Sequence, residues 1–84
     1  MKLVAMSLYD SKVRAFSQPF FAASEEAGIR SVVDEASRGD SMLSRHPEDF
    51  QVCRVGVFDD KDGLLISEMA PVQLGFVSSL MGKE

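Results

Sequence analysis

Residues 50–66 read FQVCRVGVFDDKDGLLI and decide the fold, because they contain a strand, a turn and a returning strand. The first part is rich in β-forming residues and is apolar on both faces apart from Gln51 and Arg54, which is typical of a central strand. The letters DDKDG then form a turn cluster, in which Gly63 can take the positive φ that a hairpin loop needs. The stretch therefore predicts a β-hairpin over about 50–58 and 64–68.

A first strand is predicted near the N-terminus, over residues 2–9, where the sequence reads KLVAMSLY. Val4, Met6 and Leu8 form the more apolar of two alternating sets, a pattern that indicates a half-buried strand. The segment that follows is rich in aromatic residues and predicts extended chain. Pro19 excludes a central strand position there, because proline cannot donate a hydrogen bond to the ladder.

One main helix is predicted over residues 25–38. Ser24 is a good N-cap, and it is followed by two glutamates in the first turn, where the helix dipole favours negative charge. Gly39 is a natural stop at the other end. The residues Ile29, Val32, Val33 and Ala36 form one apolar stripe. At 1.5 Å per residue, this helix would be roughly 21 Å long.

The order of these elements predicts an α+β fold, in which one small domain over residues 1–84 builds an antiparallel sheet beside the helix. After Pro71 the pattern fits two structures. Apolar residues from Val72 to Leu80 match one face of a helix, whereas Gly75 weakens that helix and QLGFV matches a strand. A chain of 84 residues buries a thin core, so we also expect a homo-oligomer.

Composition excludes several classes of protein. The chain is 45% hydrophobic and 26% charged, as globular proteins are, and its apolar runs are shorter than the ~20 residues of a membrane span. Its start lacks the features of a signal peptide, and its one cysteine cannot form an internal disulfide. We therefore expect a cytoplasmic protein without membrane association.

The net charge of −4 argues against a strongly basic nucleic-acid-binding protein. The charge is unevenly distributed, however, because residues 1–22 carry Lys2, Lys12 and Arg14 against Asp10 alone. A local basic face on an acidic protein is therefore compatible with the sequence.

The stretch SRHPEDFQVC holds the one histidine and the one cysteine of the chain. A nucleophilic pair would need Cys53 and His46 within hydrogen-bonding reach of each other, together with an orienting group. The simpler interpretation is a structural turn that leads into the central strand, where the cysteine packs as a small apolar residue. The turn residues are His46, Pro47, Glu48 and Asp49. We favour this interpretation and predict a non-enzyme.

Metal and cofactor sites are not predicted either. With one histidine and one cysteine, the chain lacks the four ligands of a usual structural zinc site. DDKDG resembles a calcium loop, but aligning Gly63 with the invariant loop glycine puts Phe58 and Met69 at the first and last ligand positions. The glycines also form no phosphate-binding loop. We therefore expect no metal and no cofactor.

Aromatic and basic residues alternate after the first strand, and this pattern is typical of proteins that bind single-stranded nucleic acid. Cations contact the phosphates, and rings stack on the bases. In the alternative interpretation, the phenylalanines belong to the core or to a protein interface, and the cations are ordinary surface residues. The predicted contact residues are Lys12, Arg14, Phe16, Phe20 and Phe21, together with Arg45 and Arg54.

Three motifs resemble one known family. The opening has the pattern D-x-K-x-x-x-F-x-x-P-F-F, the later turn and strand read HPEDF, and FDD with a glycine turn follows. In this chain the motif residues are Asp10, Lys12, Phe16, Pro19, Phe20, Phe21, the segment 46–50, the segment 58–60 and Gly63. They resemble the small nonstructural ORF5-type protein of gokushovirus-like microviruses, which are single-stranded DNA bacteriophages.

The resemblance implies a protein that is absent from the mature virion and works in the cytoplasm of the bacterial host. It implies a role in genome replication or packaging, through binding of single-stranded DNA or of phage or host replication proteins. It implies no catalytic residues. The alternative is an oligomeric module that binds a host or phage protein without touching nucleic acid, and the net charge of −4 favours that alternative.

Overall fold

The computed structural model describes residues 1–82, so positions 83 and 84 of the predicted domain lie outside the described residues. The elements are β1 (Lys2–Asp10), β2 (Ala15–Phe16), β3 (Phe20–Ala22), α1 (Glu25–Ser37), α2 (Met42–Arg45), β4 (Phe50–Asp59), β5 (Leu64–Phe76) and α3 (Val77–Met81). These strands and helices confirm the α+β class. Within the described range, each helix is too short or too polar to cross a membrane.

The strands form one antiparallel sheet in the order β2-β1-β4-β5, and β3 pairs with β1 on the same side as β2. The predicted hairpin is confirmed, with β4 in the centre of the sheet. It is longer than predicted, because β5 continues from residue 68 to Phe76. Pro71 is tolerated since β5 is an edge strand whose ladder with β4 is interrupted between Ser67 and Val72.

Both interpretations of the C-terminal segment are partly correct. The QLGF residues complete β5, and the chain then turns into α3 at Val77. Gly75 has a φ of +145°, which favours glycine at this change of direction. A Cβ atom added to Gly75 would lie 3.3 Å from Leu80 Cδ2, so the short helix folds back onto the strand that precedes it.

The hydrophobic core lies on one face of the sheet, against the helices. β1 contributes Val4, Met6 and Leu8, as their alternation predicts, and Met6 is fully buried. Gly28 allows α1 to approach β1, because a Cβ atom there would overlap the Met6 side chain. The buried core residues are Met6, Val32, Val33, Ala36, Leu43, Val52, Val77 and Leu80.

Helix α1 begins as predicted, with Ser24 Oγ accepting a hydrogen bond from Ala27 N at 3.1 Å. It ends one residue earlier than predicted, because Arg38 is the C-cap and Gly39 takes a φ of +83°. Helix α2 was not predicted, since four residues are too few to show a hydrophobic period. It begins with a capping box formed by two serines, Ser41 and Ser44.

The HPED segment forms a turn after α2, and its backbone contacts two distant parts of the chain. Asp49 N donates to the His46 carbonyl at 3.0 Å within the turn. Ser78 N, in α3, donates to the Pro47 carbonyl at 3.0 Å, and Ser11 N, after β1, donates to the Asp49 carbonyl at 2.9 Å. The turn therefore connects the end of β1 with the C-terminal helix.

Candidate nucleic-acid interface

The sheet has a second face, opposite the core, which carries five aromatic rings; we call it the open face. Neighbouring residues of a strand point to opposite faces of the sheet. Leu8 packs against the core, so Tyr9 points to the other face. Cross-strand partners share a face, and the register pairs Tyr9 with Phe16, Ala5 with Phe21 and Leu3 with Phe58. Phe76, on β5 opposite Gln51, belongs to this face as well. The four aromatic residues around β1 are Tyr9, Phe16, Phe21 and Phe58.

These rings form two pairs at opposite ends of β1. The Tyr9 and Phe16 centroids are 4.8 Å apart, and the Phe21 and Phe58 centroids are 5.7 Å apart, both with tilted planes. Phe16 is 48% exposed and Phe21 is 47% exposed. Small residues separate the two pairs, namely Ala5, Ser7, Cys53 and Gly56, and all four are buried. The open face thus exposes one ring of each pair, Phe16 and Phe21, on either side of a buried centre.

Two cations lie next to the Tyr9–Phe16 pair. Lys12 and Arg14 are both exposed in the turn between β1 and β2. Asp10 organises this turn, because its carboxylate accepts from Lys12 N at 2.9 Å and its carbonyl accepts from Arg14 N at 2.8 Å. Arg14 has a φ of +59°, a left-handed conformation that is uncommon for a residue with a side chain.

Ser17 fixes the strand that carries Phe16. Its backbone N donates to the Leu8 carbonyl at 2.8 Å, and its hydroxyl accepts from Leu8 N at 3.0 Å. The Ser7 hydroxyl donates to the Ser17 carbonyl at 2.8 Å. These contacts hold the aromatic segment against β1 although β2 itself has only two residues.

The remaining predicted contact residues lie elsewhere. Phe20 pairs with Met6 and packs against the core, which agrees with the expectation that Phe20 and Phe21 point to opposite faces. Arg45 is the exposed last residue of α2. The structure therefore brings Lys12, Arg14 and Phe16 together, with Phe21 farther along the same face.

Arg54 forms ion pairs with two carboxylates. Its guanidinium pairs with Glu25 at the start of α1 and donates to Glu68 Oε2 at 2.9 Å on β5. The hydrogen bonds that Arg54 donates to Glu25 and Glu68 raise the pKa of Arg54 above its ordinary value. Arg54 thus joins a helix to the sheet, and its charge is neutralised within the protein.

The open face also contains a cleft of about 260 Å³ beside the Tyr9–Phe16 pair. Its lining residues are Tyr9, Phe16, Gln51, Cys53, Pro71 and Gln73. Gln51, Pro71 and Gln73 were not among the predicted contact residues. A periodic pattern could have placed Gln51 on one face of β4, but only the pairing with β1 places it beside Tyr9.

His46, Glu48 and Asp49 are the group in the described residues that could hold a cation. One ligand atom from each lies within 4.8 Å of the others. The histidine and the glutamate are exposed, so three groups on the surface of a turn would leave an ion largely hydrated. Exposed acidic turns of this kind are ordinarily solvated, and we assign no function to the group.

Cys53 has the environment of a structural cysteine. It is 1% exposed, and burial raises the pKa of its thiol. A nucleophilic cysteine needs a thiolate, which neighbouring cations usually stabilise. The environment of Cys53 favours the neutral thiol, in agreement with its interpretation as a small apolar residue.

Comparison with known proteins identifies similar sequences. The family model described as phage ORF5 protein matches residues 3–80. The chain is also 34% identical over 88 aligned positions to Protein ORF5 of Chlamydia phage 1, and the match covers 100% of this chain and 88% of that protein. No solved structure matches the chain.

Proposed function

Because the chain belongs to the phage ORF5 protein family, we propose that it is a nonstructural phage protein that binds single-stranded DNA during genome replication or packaging. The observation that carries this proposal is the open face of the sheet. Two aromatic pairs lie there, each with one half-exposed ring, and two exposed cations border one of them. Rings that stack on bases beside cations that contact phosphates are the usual means of binding single strands.

The proposed contact set is smaller than the set predicted from the sequence. Lys12 and Arg14 contact phosphates, and Phe16 and Phe21 stack on bases. Phe20, Arg45 and Arg54 are left out, because the first packs in the core, the second lies on α2 and the third is neutralised.

Charge makes this binding sensitive to salt. The chain carries a net charge of −4, so its overall field repels a polyanion, and attraction is confined to the Lys12–Arg14 turn. Each phosphate contact on a single strand contributes a slope of about −0.7 to the dependence of log affinity on log salt. We therefore expect shallow but measurable salt dependence.

The test is a titration of a fluorescent single-stranded oligonucleotide at several salt concentrations. Lys12→Ala combined with Arg14→Ala should weaken binding and reduce the slope by about 1.4, since two phosphate contacts are lost. Arg30→Ala combined with Arg45→Ala, on α1 and α2, is the matched control with the same change in net charge, because both side chains are exposed and lie outside the proposed contact set. Equal losses in the two double variants would contradict the site, and no wild-type binding at low salt would contradict the function.

A second candidate function is self-association through β5. This strand is the last in the sheet order, and its first half exposes Leu64, Leu65, Ile66 and Met69. A long apolar edge strand is a template for pairing with another strand. We propose that a second copy of the chain occupies this edge and that phage or host replication proteins are the other partners.

Light scattering tests the second candidate on the same samples. Ile66, which is 62% exposed, lies in the middle of the apolar edge, and Ile66→Lys should convert a dimer into a monomer. Met42→Lys is the matched control, because Met42 is an exposed apolar residue on α2. A monomeric wild-type protein would contradict self-association.

The proposal also covers location and chemistry. We propose that the protein acts in the bacterial cytoplasm, outside the mature virion, and catalyses no reaction. The buried thiol of Cys53 supports the last point, since its raised pKa disfavours a nucleophile. Detection of the protein in purified virions would contradict the location, and loss of function in His46→Ala without loss of folding would contradict the absence of catalysis.

A further inference from the structure

The cleft beside Tyr9 and Phe16 combines flat apolar walls with side-chain amides. Tyr9, Phe16 and Pro71 offer ring surfaces, and Gln51 and Gln73 offer hydrogen-bonding groups. Ligand sites usually combine an apolar lining with a few polar groups in this way. The volume of about 260 Å³ is below the range of drug-sized pockets, so the cleft suits one small planar group.

Gln51 supplies a second observation. Its Oε1 atom is buried, and it accepts no hydrogen bond within the described residues. Buried polar atoms in folded proteins nearly always have a partner. Turning the amide so that Oε1 faces the cleft would break no hydrogen bond of this atom, and a donor on a ligand could then pair with it.

The chemical group that carries this donor can be inferred from the residues around the cleft. It must belong to a group that is flat enough to pack against Tyr9 and Phe16 and that presents an N–H to Gln51. It must also be compatible with the cations of the adjacent turn, Lys12 and Arg14, which favour an anionic backbone nearby. A nucleobase on a phosphodiester strand has these properties.

We propose that this cleft binds one unpaired nucleobase, which packs against Tyr9 and Phe16 and donates an N–H to Gln51 Oε1 once the Gln51 amide has turned toward the cleft. The proposal rests on the proposed single-stranded DNA function and gives a reason for strand selectivity. Every base has an N–H on the edge that it uses for pairing, and in a duplex that N–H is already occupied. The cleft therefore accepts bases from single strands and excludes duplex DNA.

The rest of the cleft is consistent with such a ligand. Cys53 lies in its wall as a neutral thiol, since burial raises the thiol pKa, and so it adds no negative charge near the phosphates. Binding involves no covalent step. Ser17 has a positioning role, because its hydrogen bonds to β1 hold the strand that presents Phe16.

Gln51→Met tests the proposal, because methionine keeps the length of the side chain and removes the acceptor. Losing one hydrogen bond should weaken binding of a single-stranded oligonucleotide about fivefold. The same variant should raise the melting temperature of the free protein, since a buried atom without a partner has been removed. A merely structural glutamine would give a lower melting temperature, and that result would overturn the proposal.

Gln18→Met is the matched control, because Gln18 is exposed and lies outside the cleft. It should leave both affinity and melting temperature unchanged. Phe16→Ala should weaken binding between about 5- and 150-fold through lost stacking. Equal affinity of Gln51→Met and wild type would overturn the base site, because a water molecule would then be the ordinary partner of Gln51.

An oligonucleotide with abasic positions separates this proposal from the broader function. It retains the phosphates and lacks the bases, so the wild type should bind it more weakly than the intact strand, and Gln51→Met should bind it as the wild type does. If the wild type binds both strands equally, the base site fails while DNA binding stands. If it binds neither strand at low salt, the broader function fails as well.

Discussion

The two faces of β1 differ in what covers them. On one face, Met6 is fully buried beneath α1 and the C-terminal helix. On the other face, the β1 residues Ala5 and Ser7 are also buried, but the neighbouring rings of Phe16 on β2 and Phe21 on β3 are about half exposed. The core side is explained by stability alone, because burial of apolar surface drives folding. The open face keeps aromatic rings in contact with water, so we look for its purpose in binding.

The largest expected effect is a loss of stability when a buried side chain is removed from the core face. Met6→Ala should lower the free energy of unfolding by about 2–5 kcal/mol, because it leaves a cavity in a packed core. Phe21→Ala should lower it by about 1 kcal/mol, since this ring is half exposed and loses mainly its contact with Phe58. Urea denaturation measures both. Similar losses in the two variants would remove the distinction between the faces.

The next largest effect is on DNA affinity, which should decrease when the open face is changed and stay constant when the core face is changed. Phe21→Ala should weaken binding of a single-stranded oligonucleotide by about 1–3 kcal/mol, because a stacking ring is lost. Met6→Leu, a conservative change in the core, should leave affinity unchanged. Fluorescence titration at one salt concentration measures this. If Phe21→Ala binds as tightly as wild type, the DNA site is confined to the Tyr9–Phe16 end.

A smaller effect concerns the strained turn at the edge of the open face. Arg14→Gly should raise the free energy of unfolding by about 0.5–1 kcal/mol, because glycine accepts a positive φ that arginine resists. It should also weaken DNA binding, since one cation is lost. Arg30→Gly is the control within α1, where glycine should destabilise by about 1 kcal/mol without changing affinity. Destabilisation by Arg14→Gly would show that the arginine side chain supports the turn.

The smallest effect lies at the far end of β1, where the Met1 ammonium pairs with the Asp60 carboxylate at 2.7 Å. The hydrogen bond that this ammonium donates to Asp60 raises its pKa above its ordinary value. A group with a raised folded-state pKa stabilises the protein fully below its unfolded pKa and loses that contribution as the pH rises through the folded value. Unfolding measured between pH 7 and pH 10 should therefore show a small decline, and Asp60→Asn should reduce it.

The local elements were predictable because neighbouring residues determine them. Ser24 caps α1 by bonding to a backbone N–H three residues away, and Gly63 takes the positive φ of its hairpin turn. The alternation in β1 correctly identified the residues that pack against the helices, but it did not predict that Ala5 and Ser7 on the opposite face are buried as well. Where prediction was inaccurate, the cause was also identifiable. The predicted second strand of the hairpin ended at residue 68, whereas β5 continues to Phe76. A proline argues against continuing a strand unless the strand is known to lie at the edge of the sheet.

The candidate site was only partly predictable. Lys12, Arg14 and Phe16 are close in sequence, so a turn was enough to bring them together. Arg54 looked like a free cation, and its ion pairs with Glu25 and Glu68 depend on how α1 and β5 pack against β4. Gln51 gave no signal in the sequence, because a glutamine in a strand is ordinary until its surroundings are known.

By itself, the sequence determined the classes of element, the helix start, the hairpin and the apolar side of β1. These features depend on φ preferences, caps and periodicities that extend over a few residues. Tertiary structure alone decided the register, which puts Phe16 and Gln51 beside Tyr9 and Phe21 beside Phe58. The physical reason is that cross-strand pairs join residues far apart in the chain, and their contact energies exist only when the whole sheet has formed.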